Sequence, residues 1–299
     1  MADDPVRLRA FKSAISAVVG QGAVVLDAGC GLGTYAVLAA RAGAARVYAI
    51  DDGPILEVAR QVVEQNDCAH LVHLVRGRTT QLEPQERADV VIFEDYVAGL
   101  LLPPVAETVR DLCTRWLKPG GMLLPSRARL LLAPVESLEL HRALARFDGT
   151  GDRVVGVDLS AAKRYAVQEP QMLSLRPATL LADPALIATL ELAVVETARM
   201  KGIASVIVYR DGEVHGVAIW FELELAGTTL GTGPLDPPSA WRQVVLPVSP
   251  PHRVSEGETL LIDVEAAPLG LTLVWRWQLR SQSGAAQHSS LDVAALAAR

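Results

Sequence analysis

Cysteine is scarce: Cys30, Cys68 and Cys113 are the only three in 299 residues, and they are scattered. Neither a disulfide framework nor a zinc knuckle can be assembled from that spacing. The six histidines are dispersed as well, and the one close pair, His70 and His73, has no third ligand at a suitable distance along the chain, so no metal is expected. Basic charge is in deficit, with 28 Lys and Arg against 34 Asp and Glu and a net charge of −6. That balance argues against nucleic acid as a partner and is compatible with a cationic substrate. Long apolar runs are missing too. The longest, such as residues 128–135, fall well short of the roughly 20 residues of a membrane span. Asp3 and Asp4 stand where a secretion signal carries positive charge, so a cytoplasmic location is expected.

What is present is globular. Half of the residues are hydrophobic and 21% are charged, with length enough for two modest domains. In the first half, strand and helix patterns alternate. Short apolar runs at residues 23–27, 46–51, 71–76 and 88–93 read as strands, and residues 34–42, 54–65 and 105–116 as helices. Lys118-Pro119-Gly120-Gly121 stops the last helix, and another strand starts at Met122. Such alternation predicts βαβ units and a parallel sheet. Past Pro125 the character changes. Residues 129–135, 188–195, 205–209, 216–225, 243–247, 259–266 and 271–279 resemble strands separated by Gly- and Pro-rich stretches, the pattern of a barrel or sandwich. The expected architecture is an α/β Rossmann-like domain over residues 1–126, a β-barrel domain over 127–280 and a polar, alanine-rich tail over 281–299.

The sharpest motif is Val24-Val25-Leu26-Asp27-Ala28-Gly29-Cys30-Gly31-Leu32-Gly33. A buried strand delivers a carboxylate and then three glycines spaced two apart. Glycine lets the chain turn tightly and a ligand approach the backbone, and the following helix offers unpaired N–H groups. A dinucleotide fingerprint needs its third glycine at position 34, which is Thr34, and no P-loop lysine follows. Pyrophosphate is therefore a poor fit. Asp51 ends the second strand, where a carboxylate can accept hydrogen bonds from ribose hydroxyls. Two strand-end acids beside a glycine turn suit a ligand with a ribose and a positive charge, and S-adenosylmethionine has both. The plainer reading is an ordinary strand–helix turn with Asp51 as a solvated strand end.

With these residues in view, the chain resembles the protein arginine methyltransferases over nearly its whole length. Met1-Ala2-Asp3-Asp4-Pro5-Val6-Arg7 looks like that family's M-x-x-D-x-x-R segment, Asp27-Ala28-Gly29-Cys30-Gly31-Leu32-Gly33 like its cofactor loop, and Phe93-Glu94-Asp95-Tyr96 like S-E-W-M. Trp116-Leu117-Lys118-Pro119-Gly120-Gly121 matches the run leading into the barrel. Val155-Gly156-Val157-Asp158-Leu159-Ser160 looks like the entry to a dimerisation arm around residues 160–183. Gly231-Thr232-Gly233-Pro234 and Ser239-Ala240-Trp241 resemble S-T-G-P and T-H-W. The resemblance implies S-adenosylmethionine as cofactor, a homodimer, and a cofactor set of Arg7, Asp27, Gly29, Gly31, Gly33, Asp51, Asp52, Thr79, Thr80 and Glu94. Arg7 inherits the grip on the cofactor carboxylate. Glu94 and Asp95 are the catalytic candidates, with Tyr96 and Trp241 as pocket walls or plain packing.

Departures from the family pattern fall on the acceptor side and on the adenine contact, so the resemblance implies a cofactor site retained with an altered adenine contact beside a half-dismantled arginine clamp. The second loop glutamate would stand at Pro103, the T-H-W histidine is Ala240, and the adenine-contacting glutamate is Thr80. The family's aromatic N-terminal helix has no room before Met1. Methyl transfer from a sulfonium is an in-line displacement whose driving force the sulfonium mostly supplies; the protein must align acceptor, methyl and sulfur and exclude water, so no triad or metal is required. Glu94 alone could hold a guanidinium or amine, and burial would raise its pKa. Asp95 could act as the second acid, although neighbours on an extended chain point apart. Three functions follow: N-methylation of a protein, peptide or arginine-like acceptor; methylation of a small metabolite on nitrogen or oxygen; or a non-catalytic scaffold that keeps the fold.

Overall fold

The structure, a computed structural model, describes residues 4–148, 157–281 and 284–289. Met1, Ala2 and Asp3 of the opening segment, Val155 and Gly156 of the arm motif, and residues 290–299 of the tail lie outside the described residues.

The chain opens with helix α1 (Pro5–Val18), where the sequence reading assigned no element. Its start is well specified. The Asp4 side chain accepts the Arg7 N–H at 3.0 Å, and Pro5 sits in the first turn, where a missing N–H costs nothing. The helix buries Arg7, Phe11, Ala14 and Ile15 on one face.

Strands and helices then alternate: β1 (Val24–Ala28), α2 (Thr34–Ala42), β2 (Arg46–Asp51), α3 (Leu56–Gln65), β3 (Val72–Arg76), β4 (Ala88–Phe93), α4 (Pro103–Asp111) and β5 (Leu117–Leu124). The five strands form one parallel sheet in the order β3-β2-β1-β4-β5. Every residue of β1 is buried, as expected for a central strand covered on both faces. The strand order reverses between β1 and β4. In an open α/β sheet the crevice at the carboxyl ends of those strands is the usual ligand position.

Two boundaries differ from expectation. The helix expected over 105–116 gives way after Asp111 to a π-helical turn, Leu112–Trp116. The Lys118-Pro119-Gly120-Gly121 stop lies inside β5, which begins at Leu117. Its pairing with β4 shifts register between Ala88 and Val90. β5 is an edge strand, where a bulge and a proline without N–H are tolerated.

The second half is antiparallel and barrel-like. It contains β6 (Arg127–Val135), α5 (Leu138–Ala145), α6 (Lys163–Ala166), β7 (Gln171–Leu173), β8 (Ala185–Glu191), β9 (Met200–Ile207), β10 (Gly212–Leu225), β11 (Thr228–Gly231), β12 (Gln243–Val254), β13 (Thr259–Leu269), β14 (Thr272–Ser281) and β15 (Gly284–Ser289). One sheet runs β7-β12-β10-β6-β8 with β11 against β10, and the other β15-β14-β13-β9. The strand expected over 188–195 ends at Glu191 and closes in a 3-10 turn, Leu192–Val194. The stretch expected as an arm holds α6 and β7, and β7 pairs with β12. Residues 284–289, expected in the tail, pair with β14 as a sheet edge. One apolar core joins the parallel sheet to the barrel. No helix among the described residues is long and apolar enough to cross a membrane.

Candidate active site

The glycine turn leaves β1 at the switch point. Gly29, Gly31 and Gly33 have φ of 77°, 51° and 74°, a region that side chains other than glycine's rarely adopt. Backbone N–H groups of Gly29 and Cys30 both donate to the Ile50 carbonyl, at 2.8 and 2.9 Å, which ties the turn to β2. Asp51 grips the same turn from its strand end: one carboxylate oxygen accepts the Gly31 N–H at 3.0 Å and the other the Gly53 N–H at 2.8 Å. A carboxylate has about four acceptor positions, so both oxygens keep capacity.

Asp27 performs a task the motif alone did not reveal. The N-cap of α2 is Gly33, which has no side chain to offer, and Asp27 accepts the Ala36 N–H at 2.9 Å in its place. Its carboxyl is almost fully buried. Burial pushes its pKa up from 3.8 to about 7; the Ala36 N–H opposes the rise, and Glu94 and Asp51 add to it.

Glu94 follows β4 directly, on the other side of the switch point. Two helices converge on it. Arg7 of α1 donates from Nη1 to one carboxylate oxygen at 2.5 Å, and Tyr35 of α2 donates its hydroxyl to the other at 3.1 Å. The Tyr35 ring stacks on Phe11 of α1 at 4.8 Å. The Arg7 and Glu94 side chains are only 3% and 11% exposed, so this ion pair is shielded from solvent. Burial raises the Glu94 pKa, with the Arg7 charge and the Tyr35 hydroxyl pulling it back. Asp95, next in sequence, is exposed.

The barrel closes the cluster. Trp241 is buried and donates its indole N–H to the Tyr96 carbonyl at 2.8 Å, bracing the loop that carries Glu94. The Arg7 guanidinium lies 5.0 Å from the centre of the Trp241 ring. Ala240, where the resemblance places a histidine, offers its backbone N–H to Asp4 at 2.9 Å. Pro103, where the resemblance places the second glutamate, begins α4. Tyr96 is buried edge-on against Phe93, at 5.3 Å.

Of the remaining cofactor candidates, Asp52 makes a surface ion pair with Arg78 at 2.7 Å, worth little in solvent. Thr79 is buried and Thr80 exposed, on a 3-10 turn, Thr79–Gln81, after β3. The structure thus brings Arg7, Asp27, Asp51, Glu94 and Trp241 around the switch point. Asp4 and Tyr35 join them without having been singled out as site residues. Tyr35 had one visible signal, a polar-tipped aromatic in the first turn of an alanine-rich helix just past the glycines.

Both halves of the chain are similar to known proteins. A family model described as the arginine methyltransferase oligomerization subdomain matches residues 126–281, and one described as a methyltransferase domain matches residues 25–121. Protein arginine N-methyltransferase 6 of Xenopus tropicalis is 30% identical over 90% of this chain and 82% of its own length. An arginine N(omega)-methyltransferase of Streptomyces achromogenes subsp. streptozoticus is 32% identical over 88% of this chain and 73% of its own. Among solved structures, the Trypanosoma brucei PRMT1 enzyme–prozyme heterotetrameric complex with AdoHcy superposes with a TM-score of 0.87 at 22% identity, covering 97% of this chain and 95% of that one.

Proposed function

Because the chain belongs to the protein arginine methyltransferases, a family of S-adenosylmethionine-dependent enzymes, we propose that it methylates a guanidino or amine nitrogen held by Glu94, on a protein, peptide or arginine-like acceptor. The observation that carries the reading is Glu94 itself. It is a largely buried carboxylate at the switch point, 11% exposed, that already accommodates one guanidinium, that of Arg7, at 2.5 Å. A planar guanidinium is directional toward a carboxylate, so the same group can orient an acceptor.

The residues around the turn fit the cofactor. A Cβ at Gly29 would meet no protein atom within 4 Å, so the backbone there is open to close approach. Asp51 keeps acceptor capacity for ribose hydroxyls. Asp27, Asp51 and Glu94 repel one another enough to help raise the Asp27 pKa, a repulsion that a cationic ligand relieves. S-adenosylmethionine supplies an activated methyl on a sulfonium. The chain's own part is to orient the acceptor nitrogen, keep water out and take up charge as that nitrogen loses its proton. Glu94, raised in pKa by burial, is the group in place for that proton. Arg7 holds Glu94 and would hold the carboxylate end of the cofactor, while Trp241 braces the loop.

Pro103 favours a second reading. With one carboxylate in place of two, a guanidinium is gripped along one edge only, and a small-metabolite nitrogen or oxygen becomes an acceptable acceptor. The division near residue 126, a homodimer and a cytoplasmic location belong to the same proposal. The family description of residues 126–281 as an oligomerization subdomain supports assembly, and sedimentation showing only monomer at high concentration would remove the dimer. The central test incubates the chain with labelled S-adenosylmethionine and a panel of free arginine, arginine-containing peptides and small amines. Label on a guanidino or amine nitrogen is expected. Cofactor binding without transfer to any acceptor would leave only the scaffold.

A further inference from the structure

We infer that Arg115 is a positioning residue for the base of the cofactor, and that its fork sets how well the protein tells adenine from other bases. The inference rests on the cofactor reading above and concerns a residue remote from the glycine turn.

Arg115 lies in the π-helical turn Leu112–Trp116, between α4 and β5. π turns are rare and, where they interrupt α-helices, are frequent at functional sites. From this one the guanidinium reaches the loop after β3. Nη2 donates to the Thr79 carbonyl at 2.6 Å and Nη1 to the Leu82 carbonyl at 2.8 Å. The Trp116 indole adds a bond to the same Thr79 carbonyl at 3.3 Å. Asp111 holds the guanidinium from behind, accepting from Nε at 2.5 Å and from Nη2 at 3.0 Å. A carboxylate that takes two parallel N–H groups fixes the plane of the fork as well as its place. Glu83 also approaches, at 3.6 Å, but it is so exposed that the pair contributes little.

The consequence lies in the peptide plane. A trans peptide is flat, so fixing the Thr79 carbonyl also fixes the direction of the Thr80 N–H. Thr80 stands where the resemblance places the long carboxylate that contacts adenine, and Thr79 precedes it in the same cofactor set. A threonine offers one short hydroxyl in its place. Recognition of the base therefore depends on where the backbone is held, and Arg115 holds it. On the opposite side the Gly77 N–H donates to the Asp51 carbonyl at 3.0 Å, which ties the same loop to the ribose-binding strand end. The loop is thus clamped between Asp51 and the Asp111–Arg115 pair.

R115K keeps the charge and removes the fork. Wild type and R115K are titrated by calorimetry with S-adenosylhomocysteine and with its hypoxanthine counterpart, S-inosylhomocysteine. R115K is expected to bind the adenine nucleoside about tenfold more weakly, the scale of one charge-assisted hydrogen bond. The hypoxanthine nucleoside should lose much less, so the preference for adenine shrinks. In turnover, the KM for the cofactor should rise by more than kcat falls. A purely structural role would weaken both nucleosides alike, and that result, or unchanged adenine affinity, overturns the inference. D111N leaves Arg115 but loosens its anchor, so it should shift the preference in the same direction by less. If R115K does not fold, a wild-type preference in D111N overturns the inference instead. A wild type that binds neither nucleoside overturns the cofactor reading and this inference together.

Discussion

The cofactor side and the acceptor side of the site are built in different ways. Around the glycine turn of the cofactor side the groups are close in sequence. Asp51 reaches back 20 residues to Gly31, and Asp27 reaches forward nine to Ala36, each time from carboxylate to backbone N–H. On the acceptor side they are distant. Arg7 meets Glu94 across 87 positions, Tyr35 meets it across 59, and Trp241 reaches the Tyr96 carbonyl across 145. A local turn is fixed by conformation, here three glycines at positive φ, and tolerates little change. A cluster assembled by packing can lose a member while the rest persist, which is what the resemblance implies at Pro103 and Ala240. Fold and cofactor chemistry are therefore firmly specified in this chain, and acceptor choice is where its function can drift. The two sides also differ in charge. The acceptor carboxylate has an internal cation, Arg7, whereas Asp27 has carboxylates as its charged neighbours.

The contrast is tested most severely at Glu94. Glu94→Gln keeps the shape and a hydrogen-bond acceptor for Arg7 and Tyr35 but removes the charge. Turnover on a confirmed acceptor should fall by about a hundredfold or more, the scale of a lost positioned acid–base group. Cofactor affinity should change far less, because the glycine turn and Asp51 are untouched. Steady-state kinetics beside calorimetry with S-adenosylhomocysteine separate the two. Wild-type turnover in this variant would mean that the acceptor is held elsewhere, and the long-range cluster would lose its functional meaning.

A middle-sized effect is expected at Asp51. Asp51→Ala should weaken cofactor binding by about 1–3 kcal/mol, the cost of leaving hydroxyls and backbone N–H groups without their acceptor. Calorimetry checks this directly, and unchanged affinity would remove the ribose assignment. This residue was visible in the sequence for the same reason that it matters. Short apolar runs ending in an acid or a glycine mark strand ends, and α2, β2 and β4 begin and end where those patterns do. Helix α1 was not visible, because its buried face includes Arg7, a charge that interrupts the apolar stripe. β7 and β11 are three and four residues long, too short to display a period. The acceptor cluster divides in the same way. Arg7, Glu94 and Trp241 emerged through family resemblance, whereas the Tyr35 hydroxyl and the backbone bond from Ala240 to Asp4 depend on contacts that no local pattern encodes.

The smallest effect concerns the charge difference between the two sides. Burial above all holds the Asp27 carboxyl up at about 7, and Glu94 and Asp51 reinforce it. An acid that is harder to ionise in the folded chain than in the unfolded one stabilises the fold while it is protonated. That contribution is complete below the unfolded value of about 3.9 and is lost as the pH climbs from there through about 7. Asp27→Asn keeps an oxygen for the Ala36 N–H and cannot ionise. Thermal scans should therefore give similar midpoints for variant and wild type at pH 4 and a midpoint a few degrees higher for the variant at pH 8. Cofactor binding at pH 8 should move the other way, since the variant offers no charge for a sulfonium to neutralise. A variant no more stable than wild type at pH 8 would mean that Asp27 ionises in the folded chain without strain. The cofactor side would then be as well compensated as the acceptor side, and a cationic ligand would have no repulsion left to relieve.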